Sequence, residues 1–238
     1  MIFRSTFITS FQYKFPKPIF FNGKSIRKPD IEFLYQLRPK DISQDVINSR
    51  GEEILDTEVL IKMDTLEAIV AGFSFFDTDV RNIYDNLKSK DKTINIIFVN
   101  SKLVYGLDHI LGILKIINEE DQRNIKSNVK NVEIEFLLRI CYTNQIKYAL
   151  KSNFGDSKNK TFVVVLISKP ESKLRNTLGF LSSFGIEDSN LIRHDSTKKN
   201  YILNYFFNDK FKGNSHLLLN NEEKYLKFLI EKAAISLN

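Results

Sequence analysis

The residues of this chain able to do chemistry are few and scattered. Its histidines are His109, His194 and His216, and its one cysteine is Cys141. A nucleophilic triad needs a histidine placed to take a proton from a serine or cysteine. His194 and His216 lie in polar stretches that read as exposed loops. Asp108 and His109 are adjacent, but neighbours on a helix point in different directions and do not orient one another. His109 therefore reads as structural or partner-contacting rather than catalytic. Cys141 falls in an apolar helix, where a thiol is usually inert. The phosphate-cradling patterns GxxxxGK[ST] and GxGxxG are missing, as are HExxH and the calcium-loop pattern. Asp77 and Asp79 read as helix caps rather than metal ligands. Glu119, Glu120 and Asp121 read as a solvated helix end, and Asp195 as part of a loop. No catalytic set, metal site or cofactor site is expected. That favours a binding or scaffolding role, with a carboxylate-only hydrolase as the alternative that leaves least trace in a sequence.

The elements that must position these residues fit within 238 residues, enough for one large domain or an ordinary domain with decorations. Hydrophobic content of 42% supplies a core, and 27% charged residues suits a soluble protein. No apolar run approaches bilayer length. The start, MIFRSTFITSFQYKF, is broken by Arg4, Ser5, Thr6 and Gln12, so it reads as mature protein and not as a signal peptide. A single cysteine excludes an internal disulfide, and cytoplasmic residence is the simplest expectation. The formal net charge of +6 leans toward an acidic partner such as nucleic acid.

Residues 1 to 55 read as an N-terminal extension packing on the core. Phe3, Phe7, Phe11, Tyr13 and Phe15 suggest an extended segment, and Pro16 and Pro18 interrupt it. Lys14, Lys17, Lys24, Arg27 and Lys28 interleave with Phe15, Phe20 and Phe21. That mixture suits a single-strand RNA surface, but it is also common on half-buried segments, and packing is the reading preferred. Short helices are expected over Pro29 to Leu37 and Ile42 to Ser49, then a turn at Arg50-Gly51.

From Thr57 to Phe76 the chain reads as extended, with Val59, Ile61 and Met63 alternating with polar neighbours. Val80, Ile83, Tyr84 and Leu87 predict a helix over Val80 to Lys88. The run from Ile94 to Val99 is too continuous for a surface strand and is expected at the centre of a sheet. The organising stretch runs on to Gly155. A helix is predicted over Gly106 to Asn118, with Leu107, Ile110, Leu111, Leu114 and Ile117 in one stripe and His109 at its edge. A second helix, Val132 to Tyr142, is apolar nearly all round. Its charges Glu133, Glu135 and Arg139 are expected to leave at the edges, with Glu135 and Arg139 spaced to pair. In a third, starting at Gln145, Ile146, Ala149 and Leu150 should face in while Lys147 and Lys151 face out. Thr161 to Ser168 is the plainest strand. A helix over Lys173 to Phe184 should stop at Gly185. Loops are read over Asp188 to Asn200 and Asp209 to Asn221, a strand over Tyr201 to Phe207, and a closing helix over Glu222 to Leu237.

The core, INIIFVNSKLVYGLDHILGILKIINEE followed by EIEFLLRICYTNQIKYALKSNFG, resembles the TPRKB-like family, the small kinase-binding subunit of KEOPS. KEOPS is the complex that makes threonylcarbamoyladenosine in tRNA. The matching pieces are the strand, the loop and the helix carrying His109; Glu135-Phe136-Leu137-Leu138-Arg139; Gln145-Ile146; Ala149-Leu150; and the closing IEKAAISL, Ile230 to Leu237. The similarity covers roughly 57 to 186 and 221 to 238. Relatives often read Ser-Gly-x-Arg before Gln-Ile, where this chain has Cys141, Tyr142, Thr143 and Asn144. Residues 1 to 55 and about 188 to 220 are without counterpart in compact members, so the latter reads as an insertion within a domain spanning 56 to 238.

The resemblance implies an α/β domain of the α+β type, with a mainly antiparallel sheet packed by several helices. It implies no catalysis of its own, binding to the N-terminal lobe of the small atypical kinase-like ATPase of KEOPS, and a grip on the single-stranded 3′ CCA end of tRNA. It implies no membrane and no small-molecule substrate. Asn100, Lys102, Tyr105, His109, Arg139 and Lys147 supply amide, cationic and stacking groups suited to an unpaired RNA end. Each also has a structural reading, most of all Arg139, which has Glu135 available. A scaffold of the same fold without RNA binding is the alternative.

Overall fold

The computed structural model describes residues 20–21, 24–25, 58–76, 79–125, 129–156, 158–207 and 221–237. The chain divides into two units, Met1–Ile47 and Asn48–Asn238. In the first, β1 (Phe20–Phe21) and β2 (Lys24–Ser25) pair antiparallel, with Phe20 opposite Ser25. The helices expected over Pro29 to Leu37 and Ile42 to Ser49 lie outside the described residues, as do Asp77, most of the loop expected from Asp209 to Asn221, and His216.

The second unit is built on a five-stranded sheet: β3 (Glu58–Lys62), β4 (Glu67–Phe75), β5 (Asn95–Asn100), β6 (Thr161–Ile167) and β7 (Gly185–Glu187). Every pairing is antiparallel. The order is β3, β4, β6, β5, with β7 also on β4. Since β3 pairs with Glu67–Ala71 and β7 with Phe73–Phe75, the two share one edge of β4 end to end. Among the described residues there are seven α-helices: α1 (Val80–Lys90), α2 (Leu107–Gln122), α3 (Val132–Ile140), α4 (Ile146–Phe154), α5 (Glu171–Leu181), α6 (Ser196–Phe207) and α7 (Glu222–Ile235). The result is an α+β domain with an antiparallel sheet, as the resemblance implied.

Strand alternation decides the layers. Ile69, Ala71, Phe73 and Phe75 of β4, Ile96 and Phe98 of β5, and Phe162, Val164 and Leu166 of β6 share one face. They pack on Val80, Ile83 and Leu87 of α1 and on Leu174, Leu178 and Leu181 of α5. The other face (Ala68, Val70, Ile97, Val99, Val163, Val165) is buried as well, so the strands are apolar on both sides and their runs look continuous in sequence. A 3-10 turn, Ser189–Ile192, crosses β4 at Gly72, where the Asp188 amide donates to the Gly72 carbonyl at 2.9 Å. A Cβ there would overlap the Asp188 carbonyl oxygen, so glycine is required by close approach.

The run over β5 was expected at the sheet's centre, but β5 is an edge strand. It stays buried because side chains replace the missing neighbour. Glu133 of α3 accepts the Ile96 amide at 2.8 Å. Asn153 of α4 accepts the Asn100 amide at 2.7 Å and donates to the Phe98 carbonyl at 2.6 Å. An edge dressed this way satisfies its backbone groups without a strand.

The same contacts correct two other expectations. Asn153 fixes the rotation of α4, so Ala149, Ser152 and Asn153 are buried while Ile146 and Leu150 face out. The charges of α3 do not leave at the edges; Glu133, Glu135 and Arg139 are all buried, each with partners. Glu133 meets Lys88 at 2.6 Å and the Tyr84 hydroxyl at 2.8 Å.

Further on, Gly185 opens β7 instead of stopping a helix. The strand read over Tyr201 to Phe207 is the second half of α6, which begins inside the stretch read as a loop. Asp195 accepts the Thr197 amide at 2.7 Å at its start. Its buried Ile202, Leu203 and Phe207 join Tyr105 and the Tyr225 and Leu229 of α7 in a second apolar cluster. Helical spacing onto this cluster overrides the β-propensity of an aromatic run.

Candidate functional site

The first turn after β5 and the ends of α2 and α3 bring most of the sequence-predicted residues together. Asn100 is buried, and its Oδ1 accepts the Lys102 amide at 3.1 Å, capping the 3-10 turn Ser101–Leu103. That turn lifts Lys102 into solvent, where Nζ lies 3.4 Å from Asp156 Oδ2. Tyr105 is buried. Its ring stacks on His194 (centroids 4.8 Å, planes 5° apart) and meets Tyr225 edge-on at 4.7 Å. His194 itself sits 3.5 Å from Asp108 Oδ2 and across Gly106, where no Cβ fits beside its ring.

His109 is fully buried. Its Nδ1 accepts the Tyr105 amide at 3.4 Å, and Nε2 lies 3.0 Å from the Tyr142 hydroxyl. An acceptor Nδ1 assigns the proton to Nε2, which donates to Tyr142. Burial, helped by the nearby His194, brings the His109 pKa down to about 3, so the ring is neutral. Asp108 and His109 do point apart: Asp108 toward His194, His109 into the core.

Tyr142 holds φ at +50°, the left-handed region. It follows the α3 cap residue Cys141, and the Thr143 amide donates to the Leu138 carbonyl while the Tyr142 amide donates to that of Arg139, both at 3.1 Å. This is the Schellman ending that usually takes glycine. Here a tyrosine takes that place. Its ring instead fills space against His109, Phe206 and Phe207.

Arg139 is 1% exposed. Its guanidinium donates to Glu135 (2.7 and 3.0 Å), to Glu120 (2.6 Å) and to the Ala233 carbonyl (3.2 Å). One side chain therefore ties α2, α3 and α7 together. Glu120 is not a solvated helix end: its carboxylate is paired with the buried Arg139 at 2.6 Å, and burial raises its pKa against the opposing pull of Arg139. Glu119 pairs with Arg123 at 3.1 Å. Cys141 is buried, with its thiol pushed up to about 12 by burial.

Lys147 lies on α4, on the outer face. Beside it run Ile146, Leu150 and Phe154, spaced i, i+4 and i+8, exposed by 49, 39 and 42%. They form a continuous apolar ridge flanked by Lys147 and Lys151. The sequence places Ile146 and Leu150 inward with Ala149; Ala149 is buried, but the Asn153 contact turns Ile146 and Leu150 outward. Of the six predicted positions, Lys102 and Lys147 reach solvent, while Asn100, Tyr105, His109 and Arg139 are held inside the domain.

Among the described residues no three His, Cys, Asp or Glu side chains form a metal-binding group, and no helix is long and apolar enough to cross a membrane. The domain exposes an apolar helix face beside Lys147 and Lys151, and helix-borne ionisable groups such as Glu133 and Arg139 hold its elements together. It is an α+β domain with an exposed apolar helix face. Residues 78–236, about two thirds of the chain, match the family model described as kinase binding protein CGI-121. The chain belongs to that family, the TPRKB-like kinase-binding proteins. A search of curated proteins gave no match.

Proposed function

We propose that this chain is a non-catalytic, cytoplasmic subunit of KEOPS. In that role it binds the small atypical kinase-like ATPase of the complex and holds tRNA by its 3′ CCA end for threonylcarbamoyladenosine synthesis. Membership of a family described as kinase-binding carries the first half. The ridge Ile146, Leu150 and Phe154 supports it with an apolar face at helix-docking spacing. Its lysine flanks suit a partner whose rim is acidic.

The RNA half is supported by two exposed cations, Lys102 on the turn after β5 and Lys147 on α4. Lys102 and Lys147 meet phosphates, while Asn100, Tyr105, His109 and Arg139 hold the turn and the helices that carry them. The burial of those four favours a second reading, a kinase-binding scaffold of the same fold without RNA binding.

A gel-shift with tRNA carrying or lacking its terminal CCA, run over a salt series, separates the two. The proposal expects CCA-dependent binding that weakens as salt rises. Equal behaviour of both tRNAs, with the ATPase still bound, favours the scaffold.

A further inference from the structure

We propose that the exposed tyrosine pair of α6, Tyr201 and Tyr205, is a base-stacking platform for the unpaired 3′ end of RNA, working with Lys102. This rests on the RNA-binding half of the proposed function and assigns it a place.

The two rings lie one helical turn apart, with centroids at 5.6 Å and planes within 10°. Tyr205 is 42% exposed, and Tyr201 is half-buried. Parallel rings presented to solvent are what unpaired bases stack on, whatever their sequence. The platform is rigid. Phe206 meets Tyr205 edge-on at 4.9 Å and Tyr142 at 5.2 Å, so the pair is backed by the aromatic group around His109. The opposite face of α6 is anchored in the core. Asn200 and Asn204, both exposed, place amides beside the rings, able to donate to and accept from base edges.

A cation stands alongside. Helix α6 packs against the turn Ser101–Leu103 that lifts Lys102 into solvent. The Lys102 partner Asp156 is near enough to Tyr201 to help raise the phenol's pKa, behind burial and Tyr205. The Lys102–Asp156 contact is long and exposed, and such pairs are weak. A phosphate arriving at Lys102 therefore competes with Asp156, which makes Asp156 a brake on RNA binding.

The test is fluorescence anisotropy of a labelled short single-stranded RNA ending in CCA, titrated with the full chain, alongside binding of the kinase-like ATPase by the same variants. Tyr205→Ala should weaken the RNA about tenfold or more, Tyr205→Phe should bind like wild type, and Asp156→Asn should tighten binding several-fold. Binding of the ATPase should be unchanged in all three. Wild-type affinity for RNA in Tyr205→Ala overturns the platform while leaving the RNA reading intact. Loss of the ATPase instead of RNA makes this face a protein interface and overturns it too. If the wild-type chain binds no RNA, the RNA reading itself falls and the platform with it.

Discussion

The Tyr142 hydroxyl lies 3.0 Å from His109 Nε2, joining the end of α3 to the first turn of α2 inside the core. A left-handed backbone at a non-glycine residue costs about 1–2 kcal/mol. The side chain offsets that by filling a pocket lined by His109, Phe206 and Phe207.

Replacing Tyr142 separates these contributions. Tyr142→Phe keeps the packing and strands the His109 proton, costing about 1–3 kcal/mol. Tyr142→Gly relieves the backbone but empties the pocket, where truncation of a large aromatic costs about 3–5 kcal/mol. Urea unfolding should rank wild type above Phe and Phe above Gly; a glycine variant more stable than wild type would contradict the packing role.

His109 also makes stability depend on pH. Its folded pKa, about 3, lies below the ordinary 6.5. Below pH 6.5 the unfolded chain therefore binds the proton that the folded chain refuses. The contribution is fully present above pH 6.5 and is lost as pH falls from there toward 3, by about 1.4 kcal/mol per pH unit. Between pH 7 and pH 5 that is roughly 2 kcal/mol. Denaturation of wild type and His109→Gln at both pH values checks it, since other groups cancel in the difference. Equal pH sensitivity in the two proteins would show that His109 is not held neutral.

Much of this architecture was legible. The Asp79 cap of α1, the strand at β6, the stripe of α2 and the closing helix α7 each rest on local pattern, and local pattern reads directly from sequence. What escaped depended on partners distant in the chain. The apolar run of β5 reports burial, and burial does not say whether a strand or the amide of Asn153 covers the edge. Lys147, Ile146 and Leu150 were visible as a pattern, but not the rotation that puts the ridge outside. In the candidate site, side-chain types were legible and exposure was not. His109 and Arg139 look like surface chemistry until Tyr142 and Glu120, from other elements, enclose them.

Asn153 carries the dressed edge of β5. Asn153→Ala removes two buried hydrogen bonds and leaves the Asn100 amide and the Phe98 carbonyl unpaired, at about 1–3 kcal/mol each. An open edge also invites pairing with other chains. Thermal unfolding should move to lower temperature, and light scattering should rise before the transition. An Asn153→Ala protein as stable and monodisperse as wild type would remove the edge-capping role.

Arg139 is the joint of α2, α3 and α7. Arg139→Ala leaves the buried Glu135 carboxylate and the partly buried Glu120 carboxylate without their cation, a loss of about 3–5 kcal/mol. Arg139→Lys should also destabilise, because one ammonium does not reproduce the planar fork that reaches Glu135, Glu120 and Ala233 together. Scanning calorimetry is the check, and full stability of the lysine variant would show that charge alone is enough.

In the proposed function this domain docks the kinase-like ATPase, and α4 offers the face for it. Isothermal titration of the purified ATPase into the full chain, wild type against Leu150→Glu, tests it most directly. Leu150 is exposed, so the variant should fold and melt like wild type. The account predicts a one-to-one complex with wild type and no measurable binding with Leu150→Glu. Wild-type affinity in Leu150→Glu would contradict the docking face, and no binding by the wild-type chain would contradict the proposed partner itself.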